Sequence, residues 1–188
     1  MRFIEEQTIQ EYVYFLRQHY HFDNLNLCVV EANEREWKML YTAIRRGARE
    51  LERALNEGEI EEFNEHNVGE SHRTEGEYES YENRMGYYIP TGNLLWIIDF
   101  WKDSDFTKAF KKKLDGTEFF IMLRKAYPYL RTRGGYLDTL FHEILHAIEF
   151  KSQKRIFRGG TVQQEARDTV EIVVPLVKLF MKESMRPF

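Results

Sequence analysis

Residues 142–146 read His-Glu-Ile-Leu-His, and side chains of these types at this spacing can do metal chemistry. In an α-helix, residues four positions apart lie one above the other on the same face, so His142 and His146 can bind one metal ion. Glu143 then stands beside the metal and does not bind it. Zinc hydrolases use two such histidines as ligands and the glutamate as general base, so the pentapeptide predicts a zinc-dependent active site.

A helix must carry these side chains, and residues 136–150 have apolar residues at helical spacing. The apolar residues cover about half of the helical circumference, and His142, Glu143 and His146 fall on the other half. Residues 133–135, Arg-Gly-Gly, provide a start signal for the helix. The alternative interpretation is an amphipathic helix that shows a stripe of His and Glu side chains to solvent.

Two histidines are not enough, because a catalytic zinc ion usually has three protein ligands and keeps its fourth position for water. The metzincin pattern requires a glycine three residues after the second histidine and a third histidine six residues after it. This chain has Glu149 and Ser152 at those positions, so that class is excluded. The remaining histidines lie far upstream in unrelated contexts: His19, His21, His66 and His72.

The third ligand is predicted in a second helical stretch, residues 163–177. One face of this helix holds Glu165, Asp168, Thr169 and Ile172, whereas Val170, Val173, Val174 and Val177 form an apolar side that we expect to pack inward. Glu165 is the predicted ligand, and Asp168 is predicted to accept a hydrogen bond from the far nitrogen of a ligand histidine. Asp168 and Glu171 stay open as alternative ligands. Without the upstream motif, the acidic residues would form a solvated face paired with basic residues of the same helix.

A His-Glu-x-x-His helix followed by a helix with a glutamate resembles the gluzincin class of zinc metallopeptidases. More narrowly, residues 165–175 and the Thr139-Leu140 pair before the motif resemble the ImmA/IrrE-type minimal metallopeptidases. In that family a Glu-Ala-Asn-x-Phe-Ala-Ala phrase, ending in apolar residues and a proline, follows the active-site helix; here Arg167 stands at the asparagine position. The resemblance is most specific over residues 136–175, and it implies a zinc peptidase that cuts a specific intracellular peptide or protein.

The resemblance also implies a strand that runs along the cleft. Residues 87–90 and 93–100 flank Thr91-Gly92 and are predicted to form a β-hairpin. An exposed edge of this hairpin could hold an extended peptide by strand addition. The alternative is a hairpin that serves only the core of a small sheet.

The chain has 188 residues, of which 43% are hydrophobic, so it can bury one sizeable core, and residues 1–188 are predicted to form one domain. The predicted fold class is α+β: a minimal zincin-like domain with a small mixed or antiparallel sheet, the active-site helix, the glutamate-bearing helix and extra N-terminal helices. The other predicted elements are helices at 9–20 and 37–55, a strand at 25–31, a helix that starts at Ser104 and ends at 115–116, and a helix at 118–129. Asn33 and Glu36 are expected to cap the second helix.

Charge is divided unevenly along the chain. Residues 57–84 are predicted to be an exposed acidic loop, because residues 57–82 contain ten glutamates and Arg73 as the only fixed positive charge. Residues 101–160 carry thirteen basic and seven acidic side chains. This basic region could attract an acidic substrate, a nucleic acid or the chain's own acidic loop, which would then act as a lid.

The sequence also predicts the cellular compartment of the protein. No apolar stretch approaches the length of a membrane span, and Glu5 and Glu6 stand where a signal peptide would place its charged and apolar regions. We therefore expect a cytoplasmic protein without a membrane partner. The one cysteine, Cys28, excludes an internal disulfide and argues against a cysteine-based metal site.

The predicted reaction is hydrolysis of a peptide bond, in which Glu143 takes a proton from a zinc-activated water and passes it to the leaving nitrogen. The oxyanion needs a further hydrogen-bond donor, and the candidates are Tyr136, Tyr87, Tyr88 and Arg158. Two other classes of function stay open. The chain could be a zinc-binding regulatory or interaction module without peptidase activity, or a nucleic-acid-associated protein that uses residues 101–160.

Overall fold

The computed structural model describes residues 1–57, 84–100 and 104–185. Its strands are β1 (Arg2–Phe3), β2 (Leu27–Ala32), β3 (Gly86–Pro90) and β4 (Phe119–Arg124). Its α-helices are α1 (Glu6–Arg17), α2 (Glu34–Asn56), α3 (Thr91–Phe100), α4 (Ser104–Leu114), α5 (Arg133–Ser152), α6 (Val162–Asp168) and α7 (Val174–Ser184). A 3-10 turn (Pro128–Arg131) precedes α5, and a π-helical turn (Thr169–Val173) joins α6 to α7. The predicted acidic loop lies outside the described residues except at its two ends.

The predicted α+β fold class with a small mixed sheet is confirmed. The four strands form one sheet in the order β1-β2-β4-β3. β2 and β4 lie parallel at its centre, while β1 and β3 are antiparallel edge strands. The strand predicted at residues 25–31 is confirmed as β2. β3 therefore has one side that points away from the rest of the sheet, and α5 packs against this strand.

The sheet lies between two helical layers, because successive side chains of a strand point to opposite faces. On one face, side chains such as Tyr88 and Ile121 pack with α1, α5 and α7. On the other face, side chains such as Tyr87 and Phe120 pack with α2, α3 and α4. The first of these two cores positions the candidate site, because it contains the buried side of α5.

The two N-terminal helices are confirmed as α1 and α2, and the cap of α2 has the predicted form. The Glu36 N–H donates to Asn33 Oδ1, and the Asn33 N–H donates to Glu36 Oε2, each at 2.9 Å. The helix predicted at Ser104 is confirmed as α4, and Gly116 follows its end with φ at 76°. Among the described residues, no helix combines the length and the apolar character that crossing a membrane requires.

Two elements predicted from the sequence are wrong. Residues 87–90 do lie in a strand, but the chain then continues as α3 instead of returning as a hairpin. Leu94 and Ile98 of α3 are four residues apart and both buried, and short apolar runs of this kind fit a strand or a helix equally well. Residues 118–129, predicted as a helix, contain β4. Both faces of this central strand are buried, so its sequence lacks the alternation that marks most strands.

Candidate metal centre

α5 carries the predicted histidines, and tight local packing determines where this helix begins. Thr132 caps it, because its Oγ1 accepts a hydrogen bond from the Gly135 N–H at 3.1 Å. Gly135 has to be a glycine, since a Cβ there would lie 2.1 Å from the backbone oxygen of Tyr129. The predicted apolar side of α5 is buried in the first core: Leu137, Leu140, Phe141, Ile144, Leu145, Ala147 and Ile148. The predicted helix and its start signal are thereby confirmed.

His142, His146 and Glu165 come together as a group that could hold a metal ion. Each offers one ligand atom, and these atoms all lie within 4.8 Å of one another. The Nε2 atoms of the two histidines are 2.9 Å apart. A tetrahedral zinc ion with bonds of roughly 2.0–2.1 Å would separate two nitrogens by about 3.3 Å. The two imidazoles are therefore close to the spacing of two zinc ligands, and the predicted acid lies beside them.

Contacts on the far side of the rings direct both Nε2 lone pairs toward this centre. Thr169 Oγ1 lies 2.9 Å from the Glu165 carbonyl oxygen and 3.0 Å from His142 Nδ1; when its proton goes to the carbonyl oxygen, it accepts from the Nδ1–H of His142. His142 then presents an unprotonated Nε2. The Glu149 carboxylate lies 3.7 Å from the Nδ1 of His146, in ion-pair range, and favours a proton on that nitrogen too. With both Nδ1 atoms protonated, the two Nε2 atoms are left to share either a proton or a metal ion, so the donor set fits a metal ion.

Glu149 also ties the loop after α5 to the helix. Its Oε1 accepts the backbone N–H groups of Ile156 at 2.8 Å and Phe157 at 3.2 Å. Burial raises the pKa of Glu149, but its interactions with His146 and these two amides outweigh burial and hold the pKa below its usual value. Phe157 is buried, and its ring centroid lies 4.9 Å from that of His142 and 4.4 Å from that of His146. The loop therefore holds both imidazoles in place.

Sequence reasoning missed Glu149, Thr169 and Phe157 as parts of the site. Glu149 lies three residues after His146, and Thr169 lies four residues after Glu165. Both spacings place a side chain next to a candidate ligand on a helical surface, so this signal could have been used. Phe157 lies in an irregular loop, and no periodic pattern marks it.

Glu143, the predicted general base, is buried between α5 and β3, and only 5% of the residue is exposed. The contact with β3 is close, because a Cβ on Gly86 would lie 2.7 Å from Glu143 Oε1. Two residues further along β3, the Tyr88 ring stacks on His146, with centroids 5.3 Å apart and planes at 5°. An edge strand therefore runs alongside the candidate metal centre.

The predicted role of Asp168 is wrong. Its buried carboxylate accepts hydrogen bonds from Gln164 Nε2 at 2.8 Å and from the Nε and backbone N–H of Arg158 at 2.7 and 2.9 Å. Thr169 holds the far nitrogen of His142 instead, because the loop after α5 folds back and places Arg158 over the acid. Glu171 pairs with the same arginine. Neither of the two alternative acids joins the group of metal ligands among the described residues.

Val170, predicted to pack inward, is 65% exposed, whereas Val173 and Val177 are buried as predicted. The cause is the π-helical turn at Thr169–Val173. A wider turn advances each residue by a smaller angle than an α-helix does, so Val170 rotates away from the buried side. Helical-wheel reasoning assumes an unbroken α-helix and therefore misplaces this residue.

The structure separates the four candidates for the oxyanion donor. Tyr136 bonds to the Glu31 carboxylate, and burial together with this carboxylate raises the pKa of Tyr136 far above its usual value. Tyr87 faces the second core, on the other side of the sheet. Arg158 is paired with two carboxylates. Tyr88 is the one of the four whose ring lies against a candidate metal ligand.

No protein-family model matches the chain, and the comparisons with curated proteins and with solved structures likewise find no match. The resemblance to the ImmA/IrrE-type metallopeptidases therefore stays a prediction. The function has to be inferred from the site, because one fold can serve unrelated functions.

Proposed function

We propose that the chain is a zinc-dependent metallopeptidase whose metal is held by His142, His146 and Glu165. The observation that carries the proposal is the pair of inward-facing Nε2 atoms, 2.9 Å apart, with a carboxylate in the same group. Two imidazoles and one carboxylate are a ligand set of catalytic zinc. Imidazole ligands favour zinc over magnesium or calcium, which take oxygen ligands.

When bound, zinc supplies a Lewis acid that polarises the scissile carbonyl and lowers the pKa of water. Glu143 is the proposed general base, because it is next to His142 in the chain and lies buried against β3. Its carboxylate takes a proton from water and delivers it to the leaving nitrogen. Tyr88, whose ring lies on His146, is the proposed donor to the oxyanion.

The outer side of β3 is the proposed place for an extended peptide substrate. The backbone groups of Met85 and Thr91 bond toward the β4 side. Backbone groups alternate in direction along a strand, so those of Gly86, Tyr88 and Pro90 point away from β4. A peptide along this side would pass next to the buried glutamate, which is the arrangement that strand addition requires.

Metal content tests the ligand set. Wild-type protein, purified and then reconstituted with zinc at neutral pH, should contain about one zinc per chain by elemental mass spectrometry. Glu165→Ala should lose the zinc. Glu171→Ala is the matched control, because it removes an exposed acid from the neighbouring turn and should leave the zinc in place. A reconstituted wild type without zinc would overturn the proposal.

Glu143→Gln separates catalysis from metal binding. This variant should keep its zinc and lose peptide hydrolysis by at least about 100-fold, because it can no longer accept the proton from water. Cleavage is followed by mass spectrometry on a mixture of peptides derived from a proteome. Retained cleavage by the variant would refute the role of Glu143. A wild type that binds zinc and cleaves no peptide would point to a zinc-binding regulatory module instead.

A further inference from the structure

A cavity of about 470 Å³ lies beside the C-terminal ends of β3 and α5. Four segments surround it: the end of β3, the first turns of α3, the turn between α4 and β4, and the last turn of α5. Its walls include Pro90, Leu95, Leu114, Phe119, Phe150 and Lys151. The volume falls within the range of roughly 300–1,000 Å³ that is typical of ligand pockets.

The cavity lies a short distance from the candidate metal centre along both α5 and β3. Phe150 lies four residues after His146 on α5, which is about 6 Å along the helix axis. Pro90 lies two residues after Tyr88 on β3, which is about 6–7 Å along the strand. Tyr88 stacks on His146, so both elements lead from this histidine toward the cavity. A peptide along β3 would reach the cavity one or two residues away from the bond at the metal.

Four polar side chains of the cavity wall are paired with one another, and Asp115 lies on the wall as an exposed carboxylate. Lys151 Nζ donates to Glu118 Oε1 at 2.6 Å. The hydroxyl oxygens of Thr91 and Thr117 lie 3.0 Å apart and share a hydrogen bond. The rest of the wall is mainly apolar, and the rings of Phe119 and Phe150 meet edge to face with centroids 5.5 Å apart. A ligand therefore needs no charge of its own to bind here.

We propose that this cavity binds a large apolar side chain of the substrate, such as phenylalanine or leucine, one or two residues from the cleaved bond. The inference rests on the proposed peptidase function. An apolar side chain gains free energy by leaving water and needs no polar partner in the cavity. An acidic side chain would be repelled by Asp115, and a basic one would gain only an exposed ion pair with this carboxylate, which contributes little. A small side chain would leave most of the apolar wall uncovered.

Gly92 offers a way to close the cavity without disturbing the fold. It lies on the cavity wall in the first turn of α3, it is exposed, and a Cβ there would meet no atom within 4 Å. We expect Gly92→Trp to fill the cavity and Gly92→Ala, the matched control, to leave it open. Neither substitution alters a proposed metal ligand or the proposed general base.

Cleavage of a peptide mixture by the three proteins tests the proposal. Wild type and Gly92→Ala should prefer a large apolar residue at one position near the cleaved bond. Gly92→Trp should lose this preference, and its kcat/KM for the best peptide should fall about 10- to 100-fold. For peptides with alanine at that position, kcat/KM should fall less in Gly92→Trp than it does for the best peptide. An unchanged preference in Gly92→Trp, or a wild-type preference for small or charged residues there, would overturn the proposal.

A binding measurement distinguishes failure of the cavity from failure of the peptidase. N-acetyl-phenylalaninamide is titrated into zinc-loaded wild type and Gly92→Trp and followed by NMR, with N-acetyl-alaninamide as the control ligand. If the aromatic compound binds to the wild type and not to Gly92→Trp, the proposed binding cavity is supported, even where no peptide is cleaved. If wild type and Gly92→Trp bind the two compounds equally, the result contradicts the proposed binding role of the cavity, whether or not the protein cleaves peptides.

Discussion

A Cβ atom on Gly86 would stand 2.7 Å from Oε1 and 2.9 Å from Cγ of Glu143, so β3 presses directly against the proposed general base. Glycine at this position lets the edge strand and the buried carboxylate approach each other. A general base works only within hydrogen-bond distance of the proton that it takes. The packing of the sheet edge therefore sets the position of the carboxylate relative to any peptide that lies along β3.

Gly86→Ala should displace the Glu143 carboxylate and leave the metal ligands in place. We expect this variant to keep its zinc while kcat falls about 10- to 100-fold, because general-base catalysis depends on the position of the base. Steady-state kinetics and metal analysis measure the two effects. Gly134→Ala is the matched control, since a Cβ there meets no atom within 4 Å, and it should keep wild-type activity. A Gly86→Ala protein with wild-type kcat would contradict the proposed contact.

Thr169→Val should weaken zinc binding through His142. The substitution keeps the shape of the side chain but removes the hydroxyl that accepts from Nδ1, so we expect affinity to fall about 10- to 100-fold. Thr169→Ser keeps a hydroxyl and should retain most of the affinity. Competition with a chelator at pH 7 measures zinc binding, and thermal unfolding of the metal-free proteins measures stability. Equal zinc affinities of the two variants would rule out this role.

Asp168 should make the free energy of unfolding depend on pH in the acid range. Burial raises its pKa, but the hydrogen bonds from Gln164 and Arg158 outweigh burial, so the folded pKa lies below the unfolded value of about 3.9. The stabilisation is therefore fully present above about pH 4 and is lost as the pH falls through the folded pKa.

Asp168→Asn tests this contribution by urea unfolding of the metal-free protein at several pH values. We expect the variant to be about 2 kcal/mol less stable at pH 7, because buried hydrogen bonds to a charged group are lost. Below about pH 4 its stability should fall less steeply than that of the wild type. Glu171→Gln removes the charge of a more exposed partner of Arg158 and should change little. The same pH dependence in wild type and Asp168→Asn would contradict the assignment.

Local sequence patterns were sufficient where one helix carries the information. The spacing of His142 and His146 predicted a shared face, and the apolar residues between them predicted the buried side of α5. The reciprocal cap of α2 was readable from Asn33 and Glu36, because both residues belong to the same helical turn. Glu165 was predictable as a candidate ligand from its position on a second helix that follows the motif, while Asp168 and Glu171 stayed open as alternatives.

The same patterns failed where burial by remote segments decides the structure. The apolar run at residues 118–129 became the central strand β4 because helices cover both faces of the sheet. Asp168 lies on the expected helical segment, but Arg158 reaches it from the loop after α5 and donates hydrogen bonds to both of its carboxylate oxygens. No spacing rule within one segment describes contacts of this kind.

The sequence by itself determined that His142 and His146 share one face of a helix with Glu143 beside them, because helical periodicity depends only on neighbours along the chain. Only the tertiary structure decided which acid completes the group, which nitrogen of each histidine faces inward, and that the end of β3 lines the cavity. These features depend on contacts between residues far apart in the chain, and such contacts exist only once the sheet and the helices have packed together.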